Sequence, residues 1–276
     1  MLIIGDYEIN QQNFRRDYLD IKHCDEARNR VLSSYPPLFS QKKYYPNTKT
    51  LFPIIKLKKW ITYNPEEYVG DGPVVIKAQQ LLSKDGKSTT KLFDQIQDDG
   101  GIHNHLDSDN DVILSSIMPD RAIAGLTCEN FAEMIDTMGV EYYLTPDGET
   151  YLGEAERSAF EITRMLDQTQ TLLDLCPRCV PIGLVKGCTS DQVRCHTENL
   201  QNLGIQRFCF HLGDFFRGSD SDLITARRFA VLIRERTKNL IIYGIGSRKY
   251  INMFRFADGF ATQSHYAKAY HGYIDE

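Results

Sequence analysis

The chain has 276 residues, 42% of them apolar and 25% charged, with a formal net charge of −5. That length holds one large domain or two small ones, and an α/β barrel of about 250 residues fits it without strain. The mildly acidic balance argues against unspecific coating of nucleic acid, and no run of about 18 apolar residues offers a membrane span. Seven scattered cysteines fit a reducing, cytoplasmic compartment. The start MLIIGDYEIN lacks the charged and long apolar regions of a signal peptide.

Residues 1–50 are dense in Tyr, Asn, Gln and charge and are broken by Pro36, Pro37 and Pro46. They read as an N-terminal extension packed on the main domain, with a helix over Phe14 to Leu32. The barrel is expected over 51–276. Leu51–Leu57 reads as a strand, followed by the basic and aromatic group Lys56, Lys58, Lys59 and Trp60. Such a group can contact nucleic acid, although a solvated edge has the same composition. Pro73–Ala78 is a second strand. Residues 83–111 are polar and read as a long loop or lid.

From residue 112 strands and helices alternate. Val112–Ile117 is a strand. Cys128–Met138 is a helix capped by Thr127 and stopped by Gly139. Val140–Leu144 is a strand, and Glu154–Leu175 is a long helix with Ile162, Met165, Leu166 and Leu172 on one side. Val180–Val185 and Ile205–Leu212 are strands joined by a helix that Ser190 can cap and Gly204 ends. A helix over Ser221–Lys238 precedes a strand over Leu240–Ile245. A short helix over Lys249–Phe254, a strand over Ala257–Phe260 and a last helix from Ser264 to Tyr270 follow. Eight strands with helices between the last six predict a closed (β/α)8 TIM-like barrel.

In such barrels the chemistry collects at the carboxyl ends of the strands. The residues placed there are Ser115, Ser116, Asp147, Lys186, His211, Gly213, Asp214, Arg248, Asp258 and Thr262. Each singly has a bland reading: Asp147 as a turn residue, Lys186 as a solvated lysine, His211 as a hydrogen-bonded ring. Together they describe a polar rim. Cys176-Pro-Arg-Cys179 and the group Cys188, Cys195 and His196 invite a zinc site, but their spacing does not imply convergence. Buried small side chains are the plainer expectation, and no metal is predicted.

The order of PIGLVKG, RFCFHLGDF, IIYGIGS and FADGFATQSHYAKAYHGY resembles the second half of the tRNA-guanine transglycosylase family, over about residues 110 to 273. The resemblance implies a (β/α) barrel that exchanges guanine for a 7-deazaguanine base, in tRNA or, in one branch, in DNA. It implies that Asp147 hydrogen-bonds the base. Lys186-Gly187 stands where the family has glutamine and glycine, so the base-reading group differs. Gly213 keeps one of two glycines whose backbone meets the base, and His211 and Thr262 join the substrate-binding set. The proton-handling aspartate of the family falls on Ser116. The nucleophilic aspartate falls on Ala261, which leaves Asp258 as the nearest carboxylate, three residues earlier. The cysteine-rich zinc insert of the tRNA enzymes has no counterpart. The partners implied are tRNA or DNA and a 7-deazaguanine-type base, with a homodimer or a partner subunit left open. No cofactor and no membrane are expected.

Two other readings stand beside this one. His103-Asn-His105 with Lys186, His211 and Asp258 resembles the ligand set of the metal-dependent amidohydrolase barrels, whose zinc activates water. Alternatively, the chain is a catalytically inactive base- or nucleic-acid-binding subunit, with Arg227, Arg228, Arg234, Arg236 and Lys238 as a basic helix face.

Overall fold

A computed structural model describes residues 50–57, 72–213, 215, 220–245 and 248–263, together with a short antiparallel hairpin of Leu2–Ile4 with Tyr7–Ile9. The predicted helices at 14–32 and 264–270, the group Lys58, Lys59 and Trp60, and Asp214 lie outside the described residues. Arg248 is described in its backbone alone.

Eight parallel strands close into a barrel. They are β1 Thr50–Ile55, β2 Val74–Lys77, β3 Val112–Ser115, β4 Tyr142–Leu144, β5 Val180–Val185, β6 Arg207–His211, β7 Asn239–Tyr243 and β8 Gly259–Thr262. The ring closes where Gly259 to Thr262 pair with Thr50 to Pro53. Side chains alternate across each strand. Phe52, Ile54, Val75, Ile113, Leu144, Ile182, Leu184, Cys209, Ile241, Tyr243 and Ala261 fill the lumen. The opposite parity packs under helices, as Phe208 and Phe210 do. Each fully buried Leu, Ile or Phe stabilises the barrel by about 1.5–3 kcal/mol.

Helices α1 Lys91–Asp98, α2 Ile102–Leu106, α3 Asp120–Ile123, α4 Cys128–Met138, α5 Ala155–Leu175, α6 Ser190–Asn202, α7 Asp220–Arg236 and α8 Arg248–Met253 surround it. Thr127 caps α4 by accepting from the Asn130 amide, and Gly139, at φ 67°, ends it in the left-handed region that glycine tolerates. The cap of α6 is Thr189, one residue before the expected Ser190. The expected loop at 83–111 instead carries α1 and α2. The polar stretch conceals Leu92, Phe93 and Ile96, which share one helical face and are buried.

The last strand begins at Gly259, two residues later than the sequence suggests. The shift moves Asp258 to the amino-terminal mouth of the barrel and corrects its expected place beside Lys186 and His211. There Asp258 exchanges bonds with Leu240: its amide donates to the Leu240 carbonyl, and its carboxylate accepts from the Leu240 amide at 2.8 Å. Arg234 donates to the same carboxylate at 3.3 Å. Asp258→Ala is therefore expected to lower stability by about 1–3 kcal/mol by orphaning both donors. It should leave ligand affinity at the carboxyl-terminal mouth unchanged. Chemical denaturation and calorimetry check the two halves, and a variant that loses affinity at full stability would contradict this placement.

Candidate functional site

At the carboxyl-terminal mouth a cavity of about 420 Å³ opens onto the ends of β2, β4, β5 and β6. Lys77, Ile117, Asp120, Asp147, Glu149, Tyr151, Lys186, His211 and Gly213 contribute to its wall. That volume is within the usual range for a small-molecule site.

Asp147 sits on the turn after β4, and that turn is held from both sides. Ser116 donates its hydroxyl to the Thr145 carbonyl at 2.6 Å, and the Thr145 hydroxyl accepts from the Leu184 amide at 2.8 Å. The Gly148 amide donates to the Asp147 carboxylate at 2.8 Å. A Cβ at Gly148 would come within 2.8 Å of the Met165 sulfur, so glycine lets the turn lie against α5. The carboxylate is consequently preorganised.

Lys186, the first residue past β5, reaches across to it. Its Nζ lies 2.9 Å from Asp147 Oδ1, and the two side chains are 9% and 4% exposed. This is a buried ion pair in the strict sense. The main chain of Lys186 rests on His196 of α6, whose Nδ1 lies 3.1 Å from the Lys186 amide and 3.2 Å from its carbonyl. Burial and the nearby Lys186 charge depress His196 to about 4, outweighing the hydrogen bond to the Lys186 backbone, so the ring is neutral. At Gly187 a Cβ would meet the Val193 amide nitrogen at 2.9 Å, so its glycine permits the close approach of α6.

His211, the last residue of β6, stacks edge-on against Tyr243 with ring centres 5.5 Å apart. A Cβ at Gly213 would lie 2.5 Å from His211 Nε2, so the glycine makes room for the imidazole. Ser115 donates across the lumen to the Tyr243 hydroxyl at 3.3 Å. Burial pushes the Tyr243 phenol and the Cys209 thiol up, and the Asp147 charge adds to both, so both keep their protons. Lys77, at the end of β2, is pushed down by burial and then by Lys56.

The structure thus brings Asp147, Lys186, His211 and Gly213 together, with Gly187 behind them. Thr262 is buried at the end of β8. Ser116 lines a separate pocket of about 30 Å³ with Phe131 and Arg164, while its neighbour Ser115 faces the lumen. Lys77 and Tyr243 are site residues that the sequence reading passed over. Ala261 is the lumenal residue of β8.

The His-x-His pair does not end a barrel strand. It lies on α2, where His103 Nε2 is 2.9 Å from Glu141, at the amino-terminal end of β4, and His105 Nδ1 is 2.7 Å from Asp99. Among the described residues no group of His, Cys, Asp and Glu converges as a metal site. Of the basic face expected on and after α7, Arg234 donates to Phe256 and Thr237 and Arg236 to Glu198, while Arg227, Arg228 and Lys238 are exposed, Arg227 donating to the Met253 carbonyl. No described helix is long and apolar enough to cross a membrane. Compared with known protein families and with curated proteins, the chain matches none.

Chemically, a carboxylate and an ammonium held 2.9 Å apart at a cavity wall present an acceptor beside a donor. A planar heterocycle whose edge carries N–H next to C=O is the complementary shape.

Proposed function

We propose that the chain is a transglycosylase-like protein whose carboxyl-terminal mouth takes guanine or a 7-deazaguanine base belonging to tRNA or DNA. The Asp147–Lys186 pair carries this reading. The carboxylate would accept from the ring N–H and exocyclic amine of guanine, and the ammonium, standing where the family this sequence resembles has a base-reading glutamine, would donate to its O6. The cavity of about 420 Å³ accommodates a purine. The order of the motifs around the barrel supports the same assignment. Six free thiols among the described residues are in keeping with a reducing, cytoplasmic setting.

The geometry of β8 favours a second reading, in which the base is held but not exchanged. Exchange through a covalent sugar intermediate requires a nucleophile at the anomeric carbon. Ala261 occupies the lumenal position, and Asp258 lies at the other mouth.

Calorimetry with guanine and a 7-deazaguanine base, beside transfer of labelled guanine into tRNA and duplex DNA, separates the two. Asp147→Asn is expected to weaken base binding by about 1–3 kcal/mol, the effect of a lost buried polar contact. Unchanged affinity would reject the base-binding role. Binding without transfer on either nucleic acid would select the second reading.

A further inference from the structure

The wall of the cavity carries charges of both signs, with Lys77 and Lys186 beside Asp120, Asp147 and Glu149. Lys186 has Asp147 as its counter-ion. The other cavity carboxylates are engaged elsewhere: Asp120 accepts from the Tyr151 hydroxyl at 2.6 Å, and Glu149 pairs with Arg157. Two lysines remain on the neighbouring strands β1 and β2. Ile54 pairs with Val75 and Ile55 with Ile76. The next residues in register are Lys56 and Lys77. Paired residues of parallel strands point to the same side about 5 Å apart. Ile54 and Val75 face the lumen, and alternation turns Lys56 and Lys77 the same way. Lys77 lines the cavity, half-buried, and Lys56 is exposed.

We propose that Lys56 and Lys77 form a subsite for a phosphate group on the ligand whose planar part lies against Asp147 and Lys186. The proposal deepens the base-binding reading, on which the choice of guanine-bearing probes rests. Two ammonium groups side by side repel one another, and the depressed proton affinity of Lys77 reports that repulsion together with burial. A phosphate seated between them would accept hydrogen bonds from both and remove the repulsion. Lysine suits this role because its ammonium is a compact charge on a flexible stem, needing no fixed bidentate geometry. The phosphate could be the monoester of a mononucleotide or a diester in a strand.

Titration calorimetry with guanosine, guanosine monophosphate and a short single-stranded oligonucleotide containing one guanine tests this. The mononucleotide or the oligonucleotide is expected to bind more tightly than guanosine. Each favoured ligand should lose about tenfold in affinity in Lys77→Gln, the order of one charge-assisted contact. Guanosine should lose less affinity in Lys77→Gln than the phosphorylated ligands do, Lys77→Arg should restore the difference between them, and Lys56→Gln should reduce it. A gain confined to the mononucleotide identifies a monoester site, and one shared by the oligonucleotide a diester site. A second measurement needs no base: acylation of Lys77 by an amine reagent, read by peptide mass spectrometry, should slow in the presence of inorganic phosphate. If phosphate protects Lys77 while guanosine fails to bind, the base reading falls and the phosphate site stands. If guanosine binds through Asp147 but phosphorylated ligands gain nothing and phosphate gives no protection, the subsite is overturned.

Discussion

Lys186→Met is expected to lower the stability of the barrel by about 3–5 kcal/mol, because it leaves the Asp147 carboxylate buried without its counter-charge. The size follows from the geometry. The pair is 9% and 4% exposed, so water cannot replace the lost partner, and the Gly148 amide that also donates to the carboxylate carries no full charge. Combining Lys186→Met with Asp147→Leu should recover most of the loss, since a buried pair replaced by apolar groups is often neutral or stabilising. Urea unfolding of the two single variants, the double variant and the parent completes the cycle. A single variant that costs less than about 1 kcal/mol would place the pair with exposed salt bridges.

Such an outcome bears directly on function. A buried ion pair adds little net stability over apolar packing, so its presence at the cavity wall calls for another reason. Holding a carboxylate ionised beside a fixed ammonium is a means of keeping an acceptor and a donor ready for a ligand. The supporting contacts agree. Ser116, Thr145 and Gly148 fix the aspartate from below, and His196 and Gly187 fix the lysine.

The barrel was legible from residue 112 onward because each strand there is a short apolar run followed by a helical period. The regions before it were harder, since α1 and α2 carry few apolar residues amid many polar ones. At β8 the sequence misled. In Phe256-Ala-Asp-Gly-Phe-Ala-Thr the strand reads as starting at Ala257, yet Gly259 is its first residue, and the aspartate before it is bonded to the start of β7. A shift of two residues keeps the same face inward but moves a carboxylate from one mouth towards the other. Asp147, Lys186, His211 and Gly213 were legible as polar or glycine residues at strand ends. Lys77 was hidden because one lysine closing an apolar run resembles a solvated end. Its parity with lumenal Val75 is the signal that would have found it.

Lowering the pH should expose the role of His196. Its ring is 1% exposed, and Nε2 has no hydrogen-bond partner among the described residues. Burial strips the water that would solvate a protonated ring, and the Lys186 charge adds to the penalty, so the folded state holds the ring at about 4 against 6.5 for a free histidine. Between those values the unfolded chain binds the proton and the folded chain does not. Stability therefore rises with pH across this window and is lost as pH falls from about 6.5 towards 4, with a limiting slope of about 1.4 kcal/mol per unit. Over the whole window the loss from this one side chain is on the order of 3 kcal/mol. His196→Gln keeps a donor for the Lys186 carbonyl but cannot titrate, so its stability should follow a shallower pH dependence than the parent. Urea unfolding at a series of pH values from 7 to 4 measures both curves. Parallel curves would show that the proton is taken up elsewhere. If His196 also positions Lys186, ligand affinity at the mouth should fall in the parent over the same window and stay level in His196→Gln, a coupling that a purely structural histidine at the back of the barrel would not produce.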